Sequence, residues 1–222
     1  MGCYYCGEKS TSREHVPPKC LFPDKAKDES PQKLNLITVP SCDKHNLKKS
    51  GDDEYLKRIL VASSEDVSSG GVLYGEVIRA AIRDIRASKE RLADYGLSES
   101  DGVIAQHSSY VEIDLERIAK SFDSMARALF FKHYRKICTS TRYNVFPHFL
   151  DYDEKLNSEQ RLQIEKNNQT ILDAANEHPW QGTNAHVFKY KIGIFHPDMS
   201  AVLVHMIFYK SKLVSVLLAN DE

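Results

Sequence analysis

Cys3-Tyr4-Tyr5-Cys6, Glu14-His15-Val16-Pro17-Pro18, Asn35-Leu36 and Cys42-Asp43-Lys44-His45-Asn46 follow one another within the first fifty residues, and their reading decides the fold. Cys3-x2-Cys6 and Cys42-x2-His45 are two ligand pairs, each with a gap that lets a tight turn aim both side chains inward. Three thiolates and an imidazole suit a closed, tetrahedral structural zinc. Ordinary buried cysteines beside an exposed His45 are the bland alternative. Two correctly spaced pairs specify zinc more strongly than chance burial does.

A second constellation lies between the ligand pairs. An acidic residue followed directly by histidine, Glu14-His15, sets a carboxylate where it can bind a hard cation and an adjacent imidazole where it can act as general base on water. Asn46 directly follows the last zinc ligand, so closure of the zinc site would carry it toward that cation. In this order, Cys-x2-Cys, acidic-His-x-x-Pro, Asn-Leu and Cys-x2-His-Asn-Leu47-Lys48 resemble the HNH (His-Asn-His) endonuclease family over about residues 1–60. The resemblance implies a zinc-stapled ββα-metal unit in which His15 is the catalytic histidine, Asn35 the loop-steadying asparagine and Asn46 the third member. It also implies a catalytic divalent cation, magnesium or another, held by Glu14 and Asn46, and a bacterial or phage setting such as defence against foreign DNA. Two positions depart from the family pattern: Glu14 stands where many members have Asp, and His45 where the commoner pattern has a fourth Cys.

Composition sets the frame for this reading. The 222 residues, 41% of them hydrophobic, suffice for one small stapled unit and one ordinary domain. The expected fold class is α+β: an HNH-like unit over residues 1–62, then an accessory region over 63–222 with helices first and a C-terminal antiparallel β-meander last. The formal net charge of -1 is no advertisement for a nucleic-acid binder. Residues 1–58 hold 11 basic and 9 acidic side chains, so affinity for nucleic acid, DNA before RNA, would rest on local residues such as Arg13, Lys19, Lys44, Lys48 and Lys49 and on the metal. A partner protein or a second copy of the chain would supply the rest. Five cysteines, with three assigned to zinc, argue against a secreted disulfide framework and leave Cys20 and Cys138 as free thiols. Neither a leader nor a membrane-length apolar run is evident, so the sequence reads as cytoplasmic, with no membrane partner.

Along the chain, residues 7–14 read as a polar connection, Val16-Pro17-Pro18 as an extended arm, 23–33 as a charged surface loop and Leu34 to Val39 as a short strand. Ser50-Gly51-Asp52-Asp53 opens a helix with Leu56, Ile59 and Leu60 on its buried stripe; its acids complement the helix dipole or, less simply, approach the metal. Ser63 to Gly71 is the candidate boundary. Val72 to Leu92 and Glu112 to Tyr134 show apolar residues at helical spacing, the second through Ile118, Phe122, Met125, Ala126 and Leu129. His133 closes that stripe as a hydrogen-bonded or helix-terminal histidine. Ser158 to Asn176 reads as a polar helix, while Val187 to Ile194, Ala201 to Tyr209 and Leu213 to Ala219 read as strands. His186, His196 and His205, which lack partners at fixed spacing, read as structural or exposed.

Two functions compete. One is an HNH-type endonuclease hydrolysing phosphodiester bonds; the other is a catalytically inactive zinc-stapled subunit of a larger nucleic-acid-processing complex. Near-neutral charge favours the second. The joint presence of His15, Asn35 and Asn46 favours the first, because a purely structural finger needs none of them.

Overall fold

A short antiparallel hairpin frames the N-terminal region in the computed structural model, which describes residues 1–24, 32–46, 50–62, 97–100, 103–106, 113–150, 156–174, 177–194 and 201–220. Strand β1 (Ser12–His15) pairs with β2 (Thr38–Ser41), Ser12 opposite Ser41 and His15 opposite Thr38. The sequence reading expected a connection where β1 lies and an earlier start for β2. Ser12-Arg13-Glu14-His15 is polar throughout, so period-two alternation left no apolar signal, and the strand exists because β2 supplies its ladder. The start of β2 is delayed by Asn35, whose φ of 54° is left-handed, and by Leu34, which is exposed.

After β2 come a single helical turn, α1 (Asp43–Asn46), and a longer helix, α2 (Ser50–Ala62). Leu56, Ile59, Leu60 and Val61 are buried on α2. Asp52 in its first turn pairs with Arg117 at 2.5 Å, and Arg117 also lies over the Tyr55 ring at 4.4 Å. That pairing gives Asp52 a structural partner beside the helix dipole. The expected boundary at Ser63 to Gly71 and the expected helix over Val72 to Leu92 lie outside the described residues. Strands β3 (Leu97–Ser100) and β4 (Val103–Gln106) form a second antiparallel hairpin that the sequence did not announce.

The central element is α3 (Leu115–Tyr134). Asp114 caps its start by accepting from the Arg117 amide at 3.0 Å, and Arg135 ends it in the left-handed conformation, its amide bonded to Phe131 O. The apolar stripe through Ile118, Phe122, Met125, Ala126 and Leu129 is buried as its spacing predicts, and His133 meets the Tyr190 hydroxyl at 3.0 Å. α3 touches both α2 and β2 on one hand and the C-terminal sheet on the other. The buried side chains from Cys3 to Leu218 accordingly form one apolar cluster across residue 62.

That sheet has five antiparallel strands in the order β5-β9-β8-β7-β6, where β5 is Arg142–Pro147, β6 Gln181–Asn184, β7 Phe188–Ile194, β8 Ala201–Phe208 and β9 Lys212–Ala219. The expected meander is β7-β8-β9; the edges were not foreseen: β6, Gln181-Gly182-Thr183-Asn184, is short and polar enough to pass for a loop, whereas β5 carries Tyr143 and Val145 in alternation with polar neighbours, a strand signal that was passed over. One face carries Tyr190, Val204, Met206, Phe208, Val214 and Val216 into the core, with Phe122 of α3 at 5.9 Å from Phe208. Between β8 and β9, Tyr209 and Lys210 both take positive φ, the twist a tight hairpin prefers, and the Tyr209 hydroxyl donates to Leu21 O at 2.8 Å. Polar α4 (Ser158–Asp173) starts with a complete capping box, Asn157 with Gln160, and buries no side chain.

Across the other face of the sheet, Lys191, His205 and Ser215 sit in register and are all buried. Ser215 Oγ lies 2.6 Å from His205 Nδ1 and 2.8 Å from His148 Nε2. One hydroxyl proton serves two imidazoles, which fixes complementary tautomers on the pair. Burial first, then the charge of Lys191 and His148, drives the His205 pKa down to about 4. An unfolded chain binds a proton there near pH 6.5, so the folded state gains from neutral His205 above that pH and loses the gain as pH falls toward 4. Stability should therefore drop by about 3 kcal/mol across that window, read as a falling urea midpoint, and His205→Leu should flatten the drop. An unchanged acid profile in the variant would remove His205 from the account.

Candidate metal centre

Gly2 and Gly7 close the first knuckle. The Gly7 amide donates to Cys3 O at 2.9 Å with φ of 79°, and a Cβ on Gly2 would stand 2.7 Å from Gly7 O, so the turn needs glycine at both ends. The Tyr4 amide donates to Pro40 O at 2.9 Å, fastening the knuckle to β2. The second pair straddles the start of α1, where the amides of His45 and Asn46 both donate to Cys42 O at 3.0 Å, so one helical turn sets Cys42 beside His45.

These two turns bring Cys3, Cys6, Cys42 and His45 together, their ligand atoms all within 4.8 Å of one another. Cys6 Sγ lies 3.8 Å from Cys42 Sγ, and His45 Nδ1 lies 3.8 Å from Cys3 Sγ and 3.2 Å from Cys42 Sγ. Metal–sulfur bonds of about 2.3 Å in a tetrahedron require sulfur–sulfur edges of about 3.8 Å, with sulfur–nitrogen edges slightly shorter. The donor set therefore has the dimensions to hold one four-coordinate metal ion. Burial raises the Cys3 pKa, but hydrogen bonds from the backbone of Cys6, Tyr5 and Cys42 outweigh it and leave the thiol more acidic than usual. Burial and the neighbouring Cys3 and Cys42 sulfurs push Cys6 the other way.

Two residues that the ligand spacing does not reveal brace this group. The Tyr5 ring stacks on His45 at 4.5 Å, its hydroxyl donates to Asp123 Oδ2 at 3.2 Å, and Arg127 lies over it at 5.3 Å. Tyr4 is fully buried. Burial, then the Glu14 charge and a hydrogen bond to its carboxylate, raise the Tyr4 pKa well above the usual phenol range, with a bond from Ser124 in partial opposition. The aromatic pair inside Cys3-x2-Cys6 was the signal available for both roles.

The other candidate residues lie along the adjoining hairpin. Asn46 Nδ2 donates to Ser12 Oγ at 2.8 Å, and strand alternation puts Ser12 on the same face of β1 as Glu14. His15 and Arg13 share the opposite face, where Arg13 binds Thr38 Oγ1 at 2.8 Å. Burial, then the Lys19 charge, lowers the His15 pKa below its ordinary value, so the imidazole is neutral near pH 7. Asn35 sits on the loop before β2, its carbonyl accepting from Thr183 Oγ1 at 3.4 Å. Asn46 and Glu14 thus share a face, His15 occupies the rim of the other, and Asn35 ties the loop to β6. Among the described residues, Cys3, Cys6, Cys42 and His45 are the one cluster of three or more Cys, His, Asp and Glu donors. No helix among the described residues is long and apolar enough to cross a membrane. No protein-family model matches the chain, and neither a curated protein nor a solved structure matches it.

Elemental analysis of purified protein should find about one tightly held metal ion per chain, and Cys42→Ser should lower both its occupancy and the thermal midpoint. Full stability in metal-free protein would remove the structural role of the group.

Proposed function

We propose that the chain is an HNH-type metal-dependent endonuclease whose N-terminal hairpin and helix are stapled by zinc. Zinc is the ion that this donor set suits: three thiolates and an imidazole complete a closed tetrahedral shell with no open position, which is the arrangement of a structural site. What carries the enzyme reading is a side chain the staple does not need. His15 stands at the end of β1, half-buried and neutral, flanked by Lys19, on the strand to which Asn46 is tied through Ser12.

In this reading Glu14 and Asn46 would hold a divalent cation, magnesium or another, which would supply charge stabilisation at the phosphodiester. His15, on the other face of β1 but at its C-terminal end, accepts the proton of the attacking water where a phosphate can meet both faces of the strand. Asn35 steadies the loop that carries the chain from His15 back to β2, and Arg13 and Lys19 offer positive charge to the phosphodiester backbone, DNA before RNA. The C-terminal sheet and its helix bind the substrate or a partner, in a setting such as defence against foreign DNA.

The second reading, an inactive zinc-stapled subunit, draws on Glu14. One of its carboxylate oxygens is sealed from solvent, and the phenol of Tyr4 engages the group from inside the knuckle. A carboxylate held this way must turn outward or share itself before it can bind a catalytic cation.

Incubation of the full chain with plasmid and a panel of divalent metals separates the two. His15→Ala should slow cleavage by about 10² to 10⁴ without disturbing the structural ion. Glu14→Ala and Asn46→Ala should be partly restored by excess metal, and His15→Ala should not. Equal cutting by His15→Ala and the parent sinks the assigned mechanism; a parent that never cuts leaves the binding subunit.

A further inference from the structure

Trp180, the single tryptophan of the chain, stands immediately before edge strand β6 and is 39% exposed. Its ring lies across β7, where Lys189 Nζ and Lys191 Nζ are each 5.0 Å from the ring centroid. Alternate residues of a strand share a face, so two neighbouring ammonium groups brace one indole. Lys191 is buried beneath it while Lys189 reaches partway to solvent. A ring braced by two side chains and still 39% exposed is already ordered for a flat partner, which removes part of the entropy cost of binding one. Flatness with adjacent positive charge matches a nucleobase on its phosphate backbone.

The other end of β6 supplies continuity with the hairpin. Thr183 donates to Asn35 O, Asn184 Nδ2 donates to Gln32, and Gly182, Thr183 and Asn184 line a small pocket with Val16 and Pro17, the residues directly after His15. β6 spans only four residues, about 13 Å at strand rise. We propose that Trp180, braced by Lys189 and Lys191, is a stacking platform for single-stranded nucleic acid on a track that runs along β6 to His15. The platform deepens the nuclease reading and rests on it for the purpose of the track. A duplex keeps its base faces stacked on one another, so a single strand is the form this site takes.

The lone tryptophan makes the test direct. With the full chain carrying His15→Ala to prevent cutting, a short oligodeoxythymidylate should quench tryptophan fluorescence saturably, at the same midpoint as the anisotropy of a labelled strand. The matching duplex should quench far less. Trp180→Leu, checked for folding by circular dichroism, should weaken strand binding by about 5- to 150-fold. Lys189→Gln should reduce the slope of log affinity against log salt by about 0.7, the share of one phosphate. Unchanged fluorescence at saturation, absence of strand binding, equal quenching by duplex, or parental affinity in Trp180→Leu would each overturn the platform. Plasmid cutting without quenching removes the platform alone; quenching without cutting under any metal removes the nuclease reading and keeps the platform.

Discussion

A buried ion pair on α3 ties the N-terminal knuckle to the chain that leads into the C-terminal sheet. Asp123 and Arg127 stand one helical turn apart, 2.7 Å between Nε and Oδ1, both almost wholly shielded from water. Removing either partner from such a pair costs about 3 to 5 kcal/mol, because the survivor is left charged and unmatched. Arg127 spends its other donors on Cys138 O and Ser140 O, which fix the chain as it leaves α3 for β5, and its flat face on Tyr5. Asp123 takes the Tyr5 hydroxyl. Through Tyr5 the pair reaches His45, so the helix that organises the C-terminal sheet also orients a ligand of the metal group. An ion held by the four ligands and the packing of α3 therefore support each other.

The hairpin beside that group displays a competition between structure and chemistry. Tyr4 satisfies its buried hydroxyl with Glu14, which stabilises the knuckle, while catalysis would need the same carboxylate at a cation. Glu14 is one methylene longer than aspartate, and that length lets one strand position reach inward to the phenol. His15 escapes the conflict because strand alternation sends it to the other face. Whichever demand dominates, Tyr4 decides how freely Glu14 moves.

Legibility followed the physics of each signal. The metal group was readable because ligand spacing is a local property: a CxxC turn and one helical turn depend on few residues, and Cys3, Cys6, Cys42 and His45 meet as their spacing implies. The apolar stripe of α3 and the three meander strands were readable from periodicity. β1 and β6 were not, since short polar strands have no period of their own and exist through the neighbours that bond them; β5 went unread although Tyr143 and Val145 alternate with polar residues. The bracing of His45 by Tyr5 and Asp123 was illegible in detail because it joins residues 118 positions apart, although Asp123 and Arg127, four apart inside an apolar stripe, were a cue that a buried pair was present.

The hydrogen bond from Tyr209 to Leu21 O spans 188 positions of sequence. On a ribosome moving at 5 to 20 residues per second, that separation is about 10 to 40 s of synthesis. Leu21 waits that long for its permanent partner. The N-terminal hairpin emerges first, yet its contacts with α3 and the β8–β9 turn form only when those elements arrive. During that interval the early segment can close only on itself, through the β1–β2 ladder and through the two ligand pairs, 36 residues apart at Cys6 and Cys42. Metal supply during translation would then govern how firmly that early closure holds, which makes the yield of folded protein a function of when the ion binds as well as how tightly.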